Sequence, residues 1–440
     1  MARVAAWSCL RSGSPTPLRE VDRAARERGL DPRDRSLVRR MVGVELRHRG
    51  TLRAIVRSFT RHTPSPDLAA HLHLGLVQLL YFERVPDHAA VSATVAAVGE
   101  TNGSSKGPLV NGVLRNVIRA RRDQRQGNPR CDLIDRELSF DRPIFRDPDE
   151  HPFLWSEDAY SIPGALMKRW TKRHGREKAL SLATTFLREP PLSMRAVRAS
   201  RSAVREELAG AGLETRLAEH PDALVAEASE TEAITSSAAF VEGRLTIQGQ
   251  AALQAADLMV PKEGEKLLDL CAAPGGKTMR LLESGAHVTA GDVEPQRLQR
   301  VAESAERLHL LEGLALAGGD GTQAFEGVDF DGVLIDAPCS NTAVLGARPG
   351  ARWRFGPQSL SSLTELQRRL LCEGAQKVRA GGRLVWSTCS LEPEENEQLL
   401  RSFLEENPDW SIEEEYTIFP DANSTTGPYD GGFAARLRRR

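Results

Sequence analysis

No apolar run in this sequence approaches the roughly 18 residues that a membrane-spanning helix needs. With 27% charged and 40% hydrophobic residues, the composition is that of a soluble globular chain. Met1 to Leu10 holds one arginine and a short apolar run broken by Ser8, with no small-residue cleavage pattern, so secretion is not expected. Cysteine is scarce and scattered. The six, Cys9, Cys131, Cys271, Cys339, Cys372 and Cys389, form no C-x-x-C pair, which argues against a zinc cage and against a disulfide framework. Reduced thiols in a cytoplasm and no metal are the expectation.

The chain also lacks net charge, at −1 over 440 residues, but that sum hides an asymmetry: residues 1–130 carry 23 Lys/Arg against 11 Asp/Glu. A basic segment joined to a near-neutral or acidic body suits a phosphate-binding module attached to an enzyme. At roughly 150 residues per domain, the length allows two to three domains.

Leu68, Leu72, Leu76, Leu79 and Leu80 recur at helical spacing, as do Val110, Leu114 and Ile118. This predicts a helical bundle over residues 1–140. Arg115, Arg119 and Arg122 fall three to four residues apart beside the second stripe, a cationic face on which RNA could dock. Pro143, Pro148, Pro152 and Pro163 lie among acidic residues and suit a linker, placed at 141–163. Residues 164–254 combine a helix (165–187) with β-like stretches at 192–197 and 245–248, a small α+β connecting region. From 255 to 440 strands alternate with helices, the strands expected at 266–270, 288–290, 314–316, 333–335 and 383–386. That pattern is a doubly wound, Rossmann-like α/β domain.

Ligands of such sheets bind beyond the carboxyl ends of the strands. The first strand runs into Asp269-Leu270-Cys271-Ala272-Ala273-Pro274-Gly275-Gly276-Lys277-Thr278, where paired glycines before a helix let backbone N–H groups approach a ligand. A phosphate-binding Walker loop would need glycine where Cys271 stands, and the G-x-G-x-x-G spacing of dinucleotide folds is absent. Asp292 follows the second strand, where a carboxylate meets ribose hydroxyls, and Asp320 follows the third. A glycine loop without a phosphate grip, combined with a ribose carboxylate, fits an adenosine that carries an amino acid, and S-adenosylmethionine is that molecule.

The fourth strand ends in Asp336-Ala337-Pro338-Cys339-Ser340 and the fifth in Ser387-Thr388-Cys389-Ser390, so an aspartate and two cysteines converge on one rim. Cytosine C5 is too weak a nucleophile to take a methyl group directly, whereas thiolate addition at C6 turns the ring into an enamine that can. On this reading Cys389 attacks C6, Asp336 hydrogen-bonds the N3 side, and C5 takes the sulfonium methyl. Loss of the C5 proton and elimination of the thiol then restore the ring, with Cys339 assisting release and Lys277 steadying charge. The base must be unstacked, so a single-stranded or flipped RNA nucleotide is expected. The Asn/Asp-Pro-Pro-aromatic motif of exocyclic amine methylation is missing; its slot reads Asp336-Ala337-Pro338-Cys339.

The runs DLCAAPGGKT (Asp269 to Thr278), DAPCS (Asp336 to Ser340) and STCSLEPEENE (Ser387 to Glu397) closely resemble the Sun/Fmu, or RsmB-type, ribosomal RNA cytosine-C5 methyltransferases. LGLVQLLYFERVPDHAAV (Leu74 to Val91) and LVNGVLRNVIR (Leu109 to Arg119) resemble the NusB-type helical RNA-binding domain that precedes the catalytic part in that family. The resemblance implies a NusB-like domain at 1–140 and a class I methyltransferase at 255–440. It implies Cys389 as nucleophile and Cys339 in product release. It also places Cys271, Ala272, Ala273, Pro274, Gly275, Gly276 and Lys277 against S-adenosylmethionine, with Asp292, Asp320 and Asp336 on the cofactor or the base. The substrate would be small-subunit (16S) ribosomal RNA, and a cytoplasmic monomer is expected. The pattern departs after Cys339, where the usual small-T-G-V and R-R-x-P-D-x-K-W become Asn341-Thr342-Ala343-Val344 and Gly346-Ala347-Arg348-Pro349-Gly350-Ala351-Arg352-Trp353. That change touches expected RNA contacts more than the chemistry. Two other readings remain open: a cytosine-C5 methyltransferase acting on tRNA, and a noncatalytic, antitermination-like RNA-binding factor that keeps the fold as a scaffold.

Overall fold

In the computed structural model, which describes residues 1–319, 329–421 and 423–440, side-chain caps followed by proline open two of the N-terminal helices. Asp31 accepts the N–H of Asp34 at 2.7 Å ahead of the helix Pro32–Phe59, and Ser65 accepts that of Leu68 at 3.4 Å ahead of Pro66–Tyr81. Pro66–Tyr81 buries all five leucines of its stripe. Gly107–Ala120 buries Val110, Val113, Leu114 and Val117, with Ile118 half-buried, and leaves Arg115 and Arg119 exposed. Arg122, just beyond that helix, pairs with Asp141 at 3.1 Å.

The described chain divides into two units, residues 1–188 with 348–356 and residues 189–347 with 357–440. Residues 141–163 do not form a free linker. Pro152 opens a helix that runs to Tyr160, and Ile144, Phe145, Trp155, Tyr160 and Ile162 are buried within the first unit. Arg57 holds the buried Asp158 at 2.8 Å. Proline stops longer helices here, but the apolar side chains between the prolines still leave water. The helix Gly164–Thr185 also lies in the first unit, so the division falls at 188/189 rather than ahead of residue 164.

The chain contributes residues 348–356 to the first unit before returning to the second at Pro357. Arg352 is wholly buried there and donates to the carbonyls of Arg47 (3.1 Å), Ser161 (3.3 Å) and Phe186 (2.8 Å). Trp353 Nε1 donates to the Leu46 carbonyl at 2.7 Å. This stretch of the divergent motif is therefore built into the interior of the first unit through main-chain acceptors.

In the second unit, a four-stranded antiparallel sheet runs in the order Arg216–Leu217, Ala223–Ala226, Leu192–Ala196, Leu245–Ile247. Its buried Arg195 meets Glu283 at 2.5 Å and Gln248 at 2.6 Å, which ties it into the α/β part. That part is a seven-stranded sheet of β1 (Lys266–Asp269), β2 (His287–Asp292), β3 (Leu314–Gly318), β4 (Phe330–Asp336), β5 (Val378–Thr388), β6 (Trp410–Ile418) and β7 (Gly432–Arg439). The spatial order is β6-β7-β5-β4-β1-β2-β3, with β1 to β5 parallel and β7 antiparallel to both its neighbours, β5 and β6. Leu334 and Val385 face one core while Val333, Ile335, Leu384 and Trp386 face the other, the alternation of a sheet covered on both sides. Register sets Leu334 opposite Asp269 and Asp336 opposite Ser387, so the motifs that follow β1, β4 and β5 emerge on one edge. Among the described residues no helix is long and apolar enough to cross a membrane.

Candidate active site

The loop after β1 is pinned to its neighbours by main-chain bonds, Leu270 N to Leu334 O and Ala272 N to Gly291 O, both at 2.9 Å. Gly275 has φ +105°, and a Cβ there would come within 3.2 Å of Val301, so both backbone and space call for glycine. The helix Gly276–Leu282 begins at once and directs Lys277 inward. Lys277 is 7% exposed, and its Nζ lies 2.7 Å from Asp336 Oδ2 at the end of β4. Ser387 Oγ donates to Asp336 Oδ1 at 3.3 Å. Burial pulls the Lys277 ammonium down, but Asp336 and then Cys389 outweigh it and hold the group charged above its ordinary range.

The Cys339 thiol is pushed well above the usual thiol range, first by its neighbour Cys389, then by burial, and further by the charge on Glu395. Lys277, Asp336, Cys339 and Cys389 thus come together from three separate stretches of sequence. Lys277, Thr388 and Cys389 also line a small cavity with Tyr416 and Asp430, contributed by the antiparallel strand pair and its connection.

Asp292, buried at the end of β2, accepts the N–H of Glu294 at 3.1 Å and Arg297 Nη1 at 3.3 Å, both on Oδ1. Arg297 Nη2 reaches the Ala273 carbonyl at 3.1 Å. This arginine links the β2 carboxylate to the glycine loop, a role sequence reasoning missed, because nothing local distinguishes it from any surface arginine early in a helix. Asp320 lies outside the described residues. Cys271 packs against the core cluster that includes Leu268 and Ile335. Burial, and then Asp269, keep its thiol protonated, well above the usual range, so it behaves as a small apolar side chain rather than as a nucleophile.

Asp269 is 1% exposed and accepts Thr278 Oγ1 at 2.7 Å. Burial raises its carboxyl to about 7; the Thr278 bond opposes the rise and the nearby Asp336 adds to it. Between about pH 4 and about pH 7 the unfolded chain has released this proton while the folded chain retains it, so stability falls as pH rises through that window. Asp269→Asn is expected to remove a slope worth on the order of 4 kcal/mol. Denaturant unfolding of wild type and variant at the two ends of the window tests this, and equal slopes would exclude the buried carboxyl as its source.

Comparison with known proteins follows the same division of the chain. Residues 256–427 match the family model described as 16S rRNA methyltransferase RsmB/F, and residues 13–119 match the NusB family. A Synechocystis protein named "Probable ribosomal RNA small subunit methyltransferase B" is 33% identical over 95% of this chain and 94% of its own length. The ribosomal RNA small subunit methyltransferase B of Yersinia pseudotuberculosis is 34% identical over 81% of this chain and 78% of its own. The crystal structure of PH0851 superposes with a TM-score of 0.78 at 23% identity, covering 100% of this chain and 98% of that one. It speaks to the fold.

Proposed function

The chain belongs to the ribosomal RNA small subunit methyltransferase B family, and from that premise we propose that it methylates C5 of a cytosine in small-subunit ribosomal RNA through a covalent bond between Cys389 Sγ and C6. The observation that carries this reading is the pair of neighbouring thiols beyond adjacent parallel strands, beside the Lys277–Asp336 ion pair. Methylation of a base nitrogen has no use for such a pair, whereas C5 chemistry requires a sulfur nucleophile.

The strand ends suit S-adenosylmethionine. Asp292 offers a buried carboxylate, Gly275 permits close main-chain approach, and Asp269 Oδ1 is buried without a hydrogen-bond partner among the described residues, an acceptor that a cationic ligand group would satisfy. When bound, S-adenosylmethionine supplies an electrophilic methyl group. The protein's part is to present Cys389 to one face of an unstacked cytosine, with the Lys277 charge favouring a thiolate there. Asp336 is oriented by Lys277 and Ser387 to hydrogen-bond the N3 side. As the Sγ–C6 bond forms, electron density moves to C5, which takes the methyl group. The C5 proton then leaves to a base, the Sγ–C6 bond breaks with its electrons returning to sulfur, and Cys339 can protonate the departing thiolate. The basic N-terminal region, with Arg115 and Arg119 exposed, would add affinity for the phosphate backbone.

The test is transfer of labelled methyl from S-adenosylmethionine to small-subunit ribosomal RNA that lacks its native modifications, followed by nucleoside analysis. The label is expected in 5-methylcytosine. Label in any other nucleoside would overturn the C5 assignment, and label entering only tRNA would overturn the substrate.

A further inference from the structure

Glu395 is fully buried, yet among the described residues no Lys, Arg or His lies within ion-pairing distance of it. Its partners are all uncharged. Oε1 accepts the Ser340 N–H at 2.8 Å and Gln367 Nε2 at 3.0 Å; Oε2 meets the hydroxyls of Ser340 and Ser390. Ser390 Oγ in turn accepts the N–H of Glu392 at 3.0 Å, which leaves its proton for the carboxylate. Ser340 immediately follows Cys339 and Ser390 immediately follows Cys389, so a single carboxylate ties the two cysteine loops together. A neutral amide could satisfy much of this network. Burying an acidic group without a counter-ion is costly, so an acid rather than an amide at this position calls for an explanation beyond hydrogen bonding.

The explanation lies in the surroundings of the two sulfurs. Cys339 faces the Cys389 sulfur and the Glu395 carboxylate from the loop after β5, and the Asn341 main chain from its own loop. Cys389 faces Cys339 from the loop after β4 and the Lys277 ammonium from the helix after β1, with Asp336 held on the far side of that ammonium by their ion pair. We infer that Glu395 is a positioning residue that divides the labour between the thiols: its negative charge makes Cys339 the proton-bearing member of the pair, while Lys277 makes Cys389 the thiolate. The inference rests on the assignment of Cys389 as nucleophile and explains why two adjacent cysteines do not compete for that role. A negative charge beside Cys339 opposes a second one on its sulfur, and a positive charge beside Cys389 favours one there. Chemically similar side chains thereby take opposite protonation states.

Thiol alkylation of the full-length protein, without RNA or S-adenosylmethionine, tests this independently of turnover. In the wild type, peptide mass spectrometry after iodoacetamide treatment across a pH series should show Cys389 modified at lower pH than Cys339; the reverse order would overturn the inference even if no variant folds. In a Cys389→Ser background, which isolates Cys339, Glu395→Gln should lower the pH midpoint of Cys339 alkylation by about 1 pH unit or more. Glu395→Asp should keep it high, because the charge is retained. An unchanged midpoint in Glu395→Gln, or equal shifts in both variants, would reduce Glu395 to a structural tie. Cys9 and Cys131, buried in the first unit, report folding in the same spectra by remaining unmodified. If Cys389→Ala retained turnover while these shifts appeared, the nucleophile assignment would fail and only the electrostatic effect of Glu395 on Cys339 would stand.

Discussion

Replacing Cys389 with alanine is expected to lower methyl transfer by about 10⁴-fold or more, to the level of the uncatalysed reaction. No nearby group can take its place: Lys277 is engaged with Asp336 at 2.7 Å, Cys271 is packed in a core, and burial and the Glu395 carboxylate still oppose a thiolate on Cys339 when Cys389 is gone. Without addition at C6, C5 has no enamine character and the methyl group has no acceptor. Cys339→Ala should behave differently. Attack and methyl transfer remain available, but release slows, so a covalent protein–RNA species should accumulate and survive denaturing electrophoresis. Single-turnover methyl transfer and gel analysis on the two variants check both outcomes. Full turnover by Cys389→Ala would end the covalent mechanism, and adduct accumulation in that variant would exchange the roles of the two cysteines.

Lys277→Met should cost about 10²–10³-fold in kcat, the range seen when one preorganised electrostatic contact is removed from an active site. Methionine keeps most of the buried volume but deletes the charge that faces both Asp336 and Cys389. Two effects follow. Asp336 loses its fixed cation and with it the orientation shared with Ser387, and Cys389 loses the positive neighbour that favours its thiolate. The second effect can be read separately, because Cys389 alkylation should require higher pH in the variant. A variant with wild-type kcat would remove Lys277 from the chemistry, and an unshifted alkylation profile would confine its role to holding Asp336.

The parallel strands were legible because each is a short apolar run ending in Gly, Pro, Asp or Cys. The observed β1, β2, β3, β4 and β5 overlap the expected positions, although β5 starts at Val378, five residues before the run expected at 383. The C-terminal pair, β6 and β7, was not foreseen. Trp410–Ile418 carries Glu413, Glu414 and Glu415 in succession and Gly432–Arg439 carries three arginines, so neither alternates cleanly. Across the pair Arg436 and Arg438 both reach Glu413 at 2.8 Å, a match between residues more than twenty apart. The proline-rich stretch misled for a related reason: its composition records where helices stop, whereas its burial depends on which helices lie against it.

The sequence by itself determined the class of the α/β domain and that four candidate site residues, Lys277, Asp336, Cys339 and Cys389, fall at its strand ends, because strand period and strand-end motifs are local properties, and a parallel sheet brings its strand ends to one edge. Tertiary structure alone decided what surrounds them. The tie from Glu395 to both cysteine loops, the link from Arg297 to Ala273, and the burial of Arg352 in the first unit each join segments distant in sequence. Such contacts follow from how the segments pack, and a side chain's charge state follows from that packing, so neither is written in the spacing of residues along the chain.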